Sequence, residues 1–179
     1  MAPMQPQAAH LGLILPICTT SATVGLALYQ FPVFYAFLAS EPPISGKALS
    51  RYWGPNISTG VPLIMSLNVA SIATGLLSAR WLRTHQTLET TDVGKWYTYG
   101  AVFAGAHFLF WPLVAGPIRR MIAEGENAST KSEEETVEHN KQEMKNWFVW
   151  HAVRTLAVDL PALWCFAEGA SLSFWVANV

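Results

Sequence analysis

The sequence predicts an all-α fold: a membrane-embedded antiparallel four-helix bundle, with a charged loop and a juxtamembrane helix between the third and fourth spans. Three observations carry that prediction. Hydrophobic residues make up 51% of the 179 residues and charged ones only 13%, about half the usual charged share of a globular domain. No Asp, Glu, Lys or Arg occurs before Glu41, while more than half of the charge lies between Arg119 and Lys145. Four apolar stretches reach the roughly 20 residues that a ~30 Å hydrocarbon core demands of a helical crossing. The same composition excludes a disordered chain, a collagen and a disulfide scaffold. A net charge of −1 without a basic stripe excludes nucleic-acid binding.

The chain is expected to form a single transmembrane domain over 1–179. Its first span, Leu11–Leu38, has no charged residue on any face, as a soluble amphipathic helix would. A span is expected here rather than a secretory leader, because the segment lacks a basic n-region, its apolar run is too long, and no small-x-small cleavage site follows. The second span is expected over Gly60–Ala79 and the third over Trp96–Ile118, where Trp96, Tyr97 and Tyr99 mark an interface. A polar loop, 119–146, comes next. Within it Ser132 and Glu135 have capping-box spacing, and Glu138 with Lys141 an i,i+3 spacing, so a helix should start near Ser132 and run into the fourth span. That span covers 147–176, with Trp147 and Trp150 at its start. Pro and Gly occur in all four, as membrane helices tolerate.

Lys47, Arg51, Arg119, Arg120, Lys131, Lys141 and Lys145 fall in the first and third loops, against Arg80, Arg83 and Lys95 in the second. Positive-inside reasoning puts the first and third loops in the cytosol. The sequons at Asn56 and Asn127 would then be silent.

The informative residues are those that lipid disfavours. Arg154, Asp159 and Glu168 fall in the fourth span, and a charge at the bilayer centre costs roughly 2.5–3.5 kcal/mol on insertion scales. His151 lies one turn before Arg154, on the same face. Asp159 is about 140° from Arg154 on a regular helix, and a kink at Pro161 would alter that angle. His107 lies roughly 15 Å into the third span, at a depth similar to Asp159 in the antiparallel fourth. Asn68 and Gln30 add neutral hydrogen-bonding groups. These residues have the anatomy of a small polar pocket in an apolar, aromatic wall. The alternatives are a structural ion pair for Arg154 and Asp159, and a satisfied core histidine at His107. No metal site is expected, because no ExxH or HxxxH pair of ligands occurs. Cys18 and Cys165 stand alone, and no phosphate loop, dinucleotide fingerprint or nucleophile elbow is present.

Three stretches resemble the anthrone oxygenase-like family of small four-span fungal membrane proteins. They are Gly25–Pro32, then Tyr52-Trp53-Gly54 through Gly60-Val61-Pro62, and most specifically Trp147 through His151 to Arg154. The resemblance spans nearly the whole chain. After the third span, however, Trp111–Ile118 lacks the Thr and Asn of the family's Pro-rich turn. The resemblance implies oxidation of an anthrone-type aromatic polyketide to an anthraquinone by O2 as co-substrate, with no metal, flavin or haem. One base would remove the methylene proton, one cation would hold the phenolate, and water would be excluded. On that basis His107 or Asp159 is the expected base, Arg154 with His151 holds the phenolate, and Asn68, Gln30, Trp150 and Trp111 contact the substrate. The expected surroundings are membrane lipids, in the endoplasmic reticulum or another endomembrane. The competing expectations are a different polyketide-tailoring reaction (cyclisation, dehydration or rearrangement), or a non-enzymatic scaffold or transporter.

Overall fold

The computed structural model describes residues 6–85, 93–126 and 132–176. The described residues are helical, with no strand among them. Four helical stretches follow one another: α1 (Pro6–Ala39), α2 (Gly46–His85), α3 (Gly94–Ala106) joined through a 3-10 turn (His107–Phe110) to α4 (Trp111–Glu126), and α5 (Glu133–Arg154) joined through a π turn (Thr155–Asp159) to α6 (Leu160–Val176). Leu11–Ala39, Gly46–Thr84 and Gly94–Gly125 are long and apolar enough to cross a membrane, in keeping with an integral membrane protein. The expected fourth span, 147–176, is not among these, and α6 alone has 17 residues.

Two boundaries differ from the sequence expectation. The second span was expected to begin at Gly60, yet α2 starts at Gly46 and carries Pro55 and Pro62 inside it. The Ser58 and Thr59 hydroxyls donate to the Pro55 carbonyl at 2.8 and 2.9 Å, so the polar side chains turn inward onto the backbone. Asn56 therefore sits in a helix rather than a loop. Likewise α4 runs on to Glu126, through the start of the expected loop. The Asn127 sequon lies outside the described residues.

Helix α5 begins as its sequence dictates. Ser132 accepts from the Glu135 backbone N–H, and the Glu135 side chain accepts from the Ser132 N–H, satisfying two donors the first turn leaves open. The expected Glu138–Lys141 pair is not among the ion pairs of the described residues. The fourth stretch departs from regularity just before Pro161 rather than at it. Proline has no N–H for the Ala157 carbonyl four residues back, and its ring crowds that carbonyl; the wider i→i+5 turn at 155–159 accommodates both.

The chain divides into two compact units. One takes the described residues of Met1–Val24, Ser66–His107 and Leu156–Val179; the other takes those of Gly25–Met65 and Phe108–Thr155.

In the first unit α3 packs on α6, around Leu13, Ala79, Leu82, Val93, Tyr97, Ala101, Phe166 and Ala170. Gly75 and Gly100 make room for Phe166: a Cβ at either position would come within 2.6 Å of its ring. Tyr97 donates to the Leu13 carbonyl at 3.0 Å. Thr19 and Thr20 meet Ser71 at 2.7 and 3.0 Å, the interhelical hydroxyl contact common between membrane helices.

The second unit packs α4 on α5, around Phe34, Leu49, Trp53, Val114, Ile118, Met121, Met144 and Trp147. Phe34 stacks on Trp53 at 4.4 Å and meets the edge of Trp147 at 5.1 Å. The charged part of α5 belongs to this packing. Glu133 accepts from the Gly46 N–H, Asn140 donates to the Gly46 carbonyl, and Glu143 takes both arms of Arg120 at 2.7 and 2.8 Å.

Candidate functional site

The first unit holds a buried acid–base pair. His107 Nδ1 lies 2.8 Å from Asp159 Oδ1, with the two residues only 6% and 2% exposed. Both stand where a helix departs from α geometry. His107 opens the 3-10 turn that ends α3, and Asp159 closes the π turn before α6. Such interruptions in mid-helix tend to occur at functional positions. A carboxylate accepts from Nδ1–H, which leaves the basic lone pair of the neutral ring on Nε2. The His–Asp contact then fixes tautomer and orientation, as a carboxylate does for a general-base histidine.

An open apolar groove of about 600 Å³ on the same unit is lined by Phe103, Leu156, Leu160, Pro161, Leu163, Trp164, Cys165 and Ala167, but by neither His107 nor Asp159. Phe103 lies four residues before His107, and Leu163 four after Asp159. Leu156 and Trp164 are 66% and 68% exposed. The groove's wall is the outer surface of the unit. Asn68, also of this unit, is buried in α2.

The second unit holds the other ionisable pair. His151 is fully buried, stacked on Trp147 at 4.4 Å with only 13° between the planes, and tilted against Phe31 at 4.9 Å. Its Nε2 is 3.0 Å from the Ala27 carbonyl, and its Nδ1 is 3.0 Å from Arg154 Nη2. A carbonyl only accepts and a guanidinium only donates. His151 is therefore held as the neutral Nε2–H tautomer, and its lone pair steadies the buried Arg154. Thr155 donates to the His151 carbonyl at 2.8 Å. The residues expected to hold an anion together are thus in contact, with His151 spending its acceptor on the arginine.

The remaining expected contacts separate. Gln30 lines a cavity of about 200 Å³ in the second unit. Trp111, half-buried, has the Arg119 guanidinium 6.0 Å from its ring. Trp150 is 37% exposed and lines neither the groove nor that cavity. Residues that sequence reasoning missed are Phe103, Leu156 and Trp164 of the groove, and Tyr52 and Asn56 of the cavity. The i,i+4 spacing of Trp147 and His151 was a usable signal for their stacking. Nothing in the sequence marks the Ala27 carbonyl as a partner. Among the described residues no group of three His, Cys, Asp or Glu is placed to hold a metal ion.

The chain matches no protein-family profile and no solved structure. It is 26% identical over 162 residues to a curated protein of the fungus Mollisia scopiformis named "Probable epoxidase scpX", covering 88% of this chain and 92% of that one.

Proposed function

We propose that this chain, similar along most of its length to a fungal protein named as an epoxidase, is a membrane enzyme of oxidative tailoring. Its proposed substrate is an anthrone-type aromatic polyketide and its oxidant O2. The observation that carries the proposal is the buried His107–Asp159 pair, in the unit that also carries an apolar groove large enough for a flat multi-ring molecule.

In this mechanism His107 Nε2 takes a methylene proton made acidic by two aryl rings and a carbonyl, and Asp159 steadies the imidazolium. The resulting phenolate is electron-rich and bonds to O2 at the former methylene carbon, giving a hydroperoxide. Loss of the second hydrogen from that carbon with O–O cleavage forms the new carbonyl and releases water. One anthrone and one O2 give one anthraquinone and one water, so the substrate supplies every electron and the reaction is written without a cofactor. Arg154 is proposed, on its charge and burial, as an anion-holding group of the second unit, with His151 as its positioning residue. The proposed compartment is the endoplasmic reticulum or another endomembrane, which membrane fractionation would test.

The name of the relative favours a second reading, in which the base takes a phenolic O–H proton instead of a methylene one. A hydroquinone and O2 give an epoxyquinone and water, again with electrons balanced by the substrate. Here the peroxide formed on carbon closes onto the neighbouring ring carbon instead of eliminating. Oxygen uptake by the purified protein in lipid nanodiscs, with an anthrone and then a hydroquinone as substrate, tests both. The NMR spectrum of the product separates a quinone from an epoxide with its sp3 carbons. Anaerobic turnover to a rearranged or dehydrated product would overturn the oxidative proposal. Full activity in both His107→Phe and Asp159→Asn would remove the pair from it.

A further inference from the structure

The cavity of about 200 Å³ in the second unit lies between α1 and α2 and is lined by Leu26, Val33, Phe34, Leu63 and Ile64 together with Tyr29, Gln30, Tyr52, Asn56 and Gly60. No charged residue lines it. Gln30 and Asn56 each bring a carboxamide, with both a donor and an acceptor. Each is half-buried, and among the described residues neither carboxamide hydrogen-bonds a protein group. In a hydrocarbon surrounding an amide without a partner is costly, because no water is present to satisfy it. The aromatic wall is already fixed: Phe34 is held between Trp53 and the edge of Trp147, and Tyr52 meets Phe34 at 6.0 Å.

We infer that this cavity is a binding site for a small neutral aromatic carrying a hydroxyl or carbonyl, a phenol or quinone of one or two rings. Size sets the upper limit: 200 Å³ falls below the ~300–1,000 Å³ of pockets for drug-sized ligands. The carboxamides set the polarity, since a hydroxyl both gives and takes a hydrogen bond while an acyl chain offers neither. The absence of lining charge disfavours an anion, whose burial without a counter-charge is costly. The inference does not rest on the proposed oxidation or on His107 and Asp159.

Binding of 1-naphthol, naphthalene and 1-naphthoate to the full chain in lipid nanodiscs, measured by equilibrium dialysis against protein-free nanodiscs, tests it. The expected result is saturable 1-naphthol binding, at least tenfold tighter than that of the other two. The double variant Gln30→Leu, Asn56→Leu should weaken 1-naphthol at least tenfold. A second variant guards against misfolding. A Cβ at Gly60 would meet only Asn56 Oδ1, at 3.8 Å, so Gly60→Leu should fill the cavity without collision and abolish binding. Equal binding of naphthol and naphthalene would overturn the inference, as would wild-type affinity in the Gly60→Leu protein.

Discussion

In the unit that contains α3 and α6, a histidine faces a carboxylate: His107 Nδ1 is 2.8 Å from Asp159. In the other unit a histidine faces a carbonyl on one nitrogen and a guanidinium on the other, both at 3.0 Å. The rings are chemically the same and both are buried. Their partners assign them different work. A carboxylate takes the Nδ1–H and leaves Nε2 as the acceptor of the neutral ring. A guanidinium takes up the Nδ1 lone pair, and the carbonyl locks the other nitrogen as a donor. We propose the first histidine for proton transfer and the second for holding an arginine still.

The change with the largest expected effect is Asp159→Asn. The amide keeps the shape but removes the charge and permits the wrong tautomer, so oxygen uptake with an anthrone should fall ~10²–10⁴-fold. The fold should survive, and circular dichroism would check that. Gly100→Ala comes next and affects stability rather than chemistry. Its Cβ would meet two Phe166 ring atoms at 2.6 Å, and that ring is fully buried. Thermal unfolding should report a loss of roughly 3 kcal/mol, the upper part of the overpacking range.

His151→Phe sharpens the comparison most directly. The phenyl ring keeps the stack on Trp147 but cannot donate to Ala27 or accept from Arg154, which should cost about 1–2 kcal/mol of stability. Turnover should fall much less than in Asp159→Asn. An equal fall in a stably folded His151→Phe protein would erase the division of roles. The smallest effect concerns α5. Hydrogen bonding from Arg120 holds the Glu143 carboxyl below its usual range. Its contribution to stability is therefore complete above the unfolded carboxylate value of about 4.3 and is lost as pH falls through the lowered folded value. Because the Arg120 side chain is 54% exposed, the contribution should stay below ~1 kcal/mol. Acid unfolding of Glu143→Gln should be correspondingly less steep below about pH 4.

Much of the helical architecture was legible because a span declares itself through unbroken apolar length. The α5 start was legible because Ser132 and Glu135 satisfy each other locally. The start of α2 was not: Lys47, Arg51 and Pro55 look like loop residues until α5 supplies Glu133 and Asn140 to its first turn. That contact is separated by about ninety residues and leaves no local pattern. The depth of His107 and Asp159 could be counted along their helices, and the structure brings the two together. The role of His151 could not be counted, because one of its partners is a backbone carbonyl that any residue would provide. The π turn was equally hidden; Pro161 predicted an irregularity but not its form.

The groove on the unit of His107 and Asp159 has little polar lining and opens over side chains such as Leu156 and Trp164 that are two-thirds exposed. On the proposed placement in a membrane, a compound would reach it by lateral diffusion without dissolving in the aqueous phase. Saturation of such a protein would follow the mole fraction of compound per lipid rather than its bulk molarity, so diluting a fixed amount of compound with more bilayer would slow it.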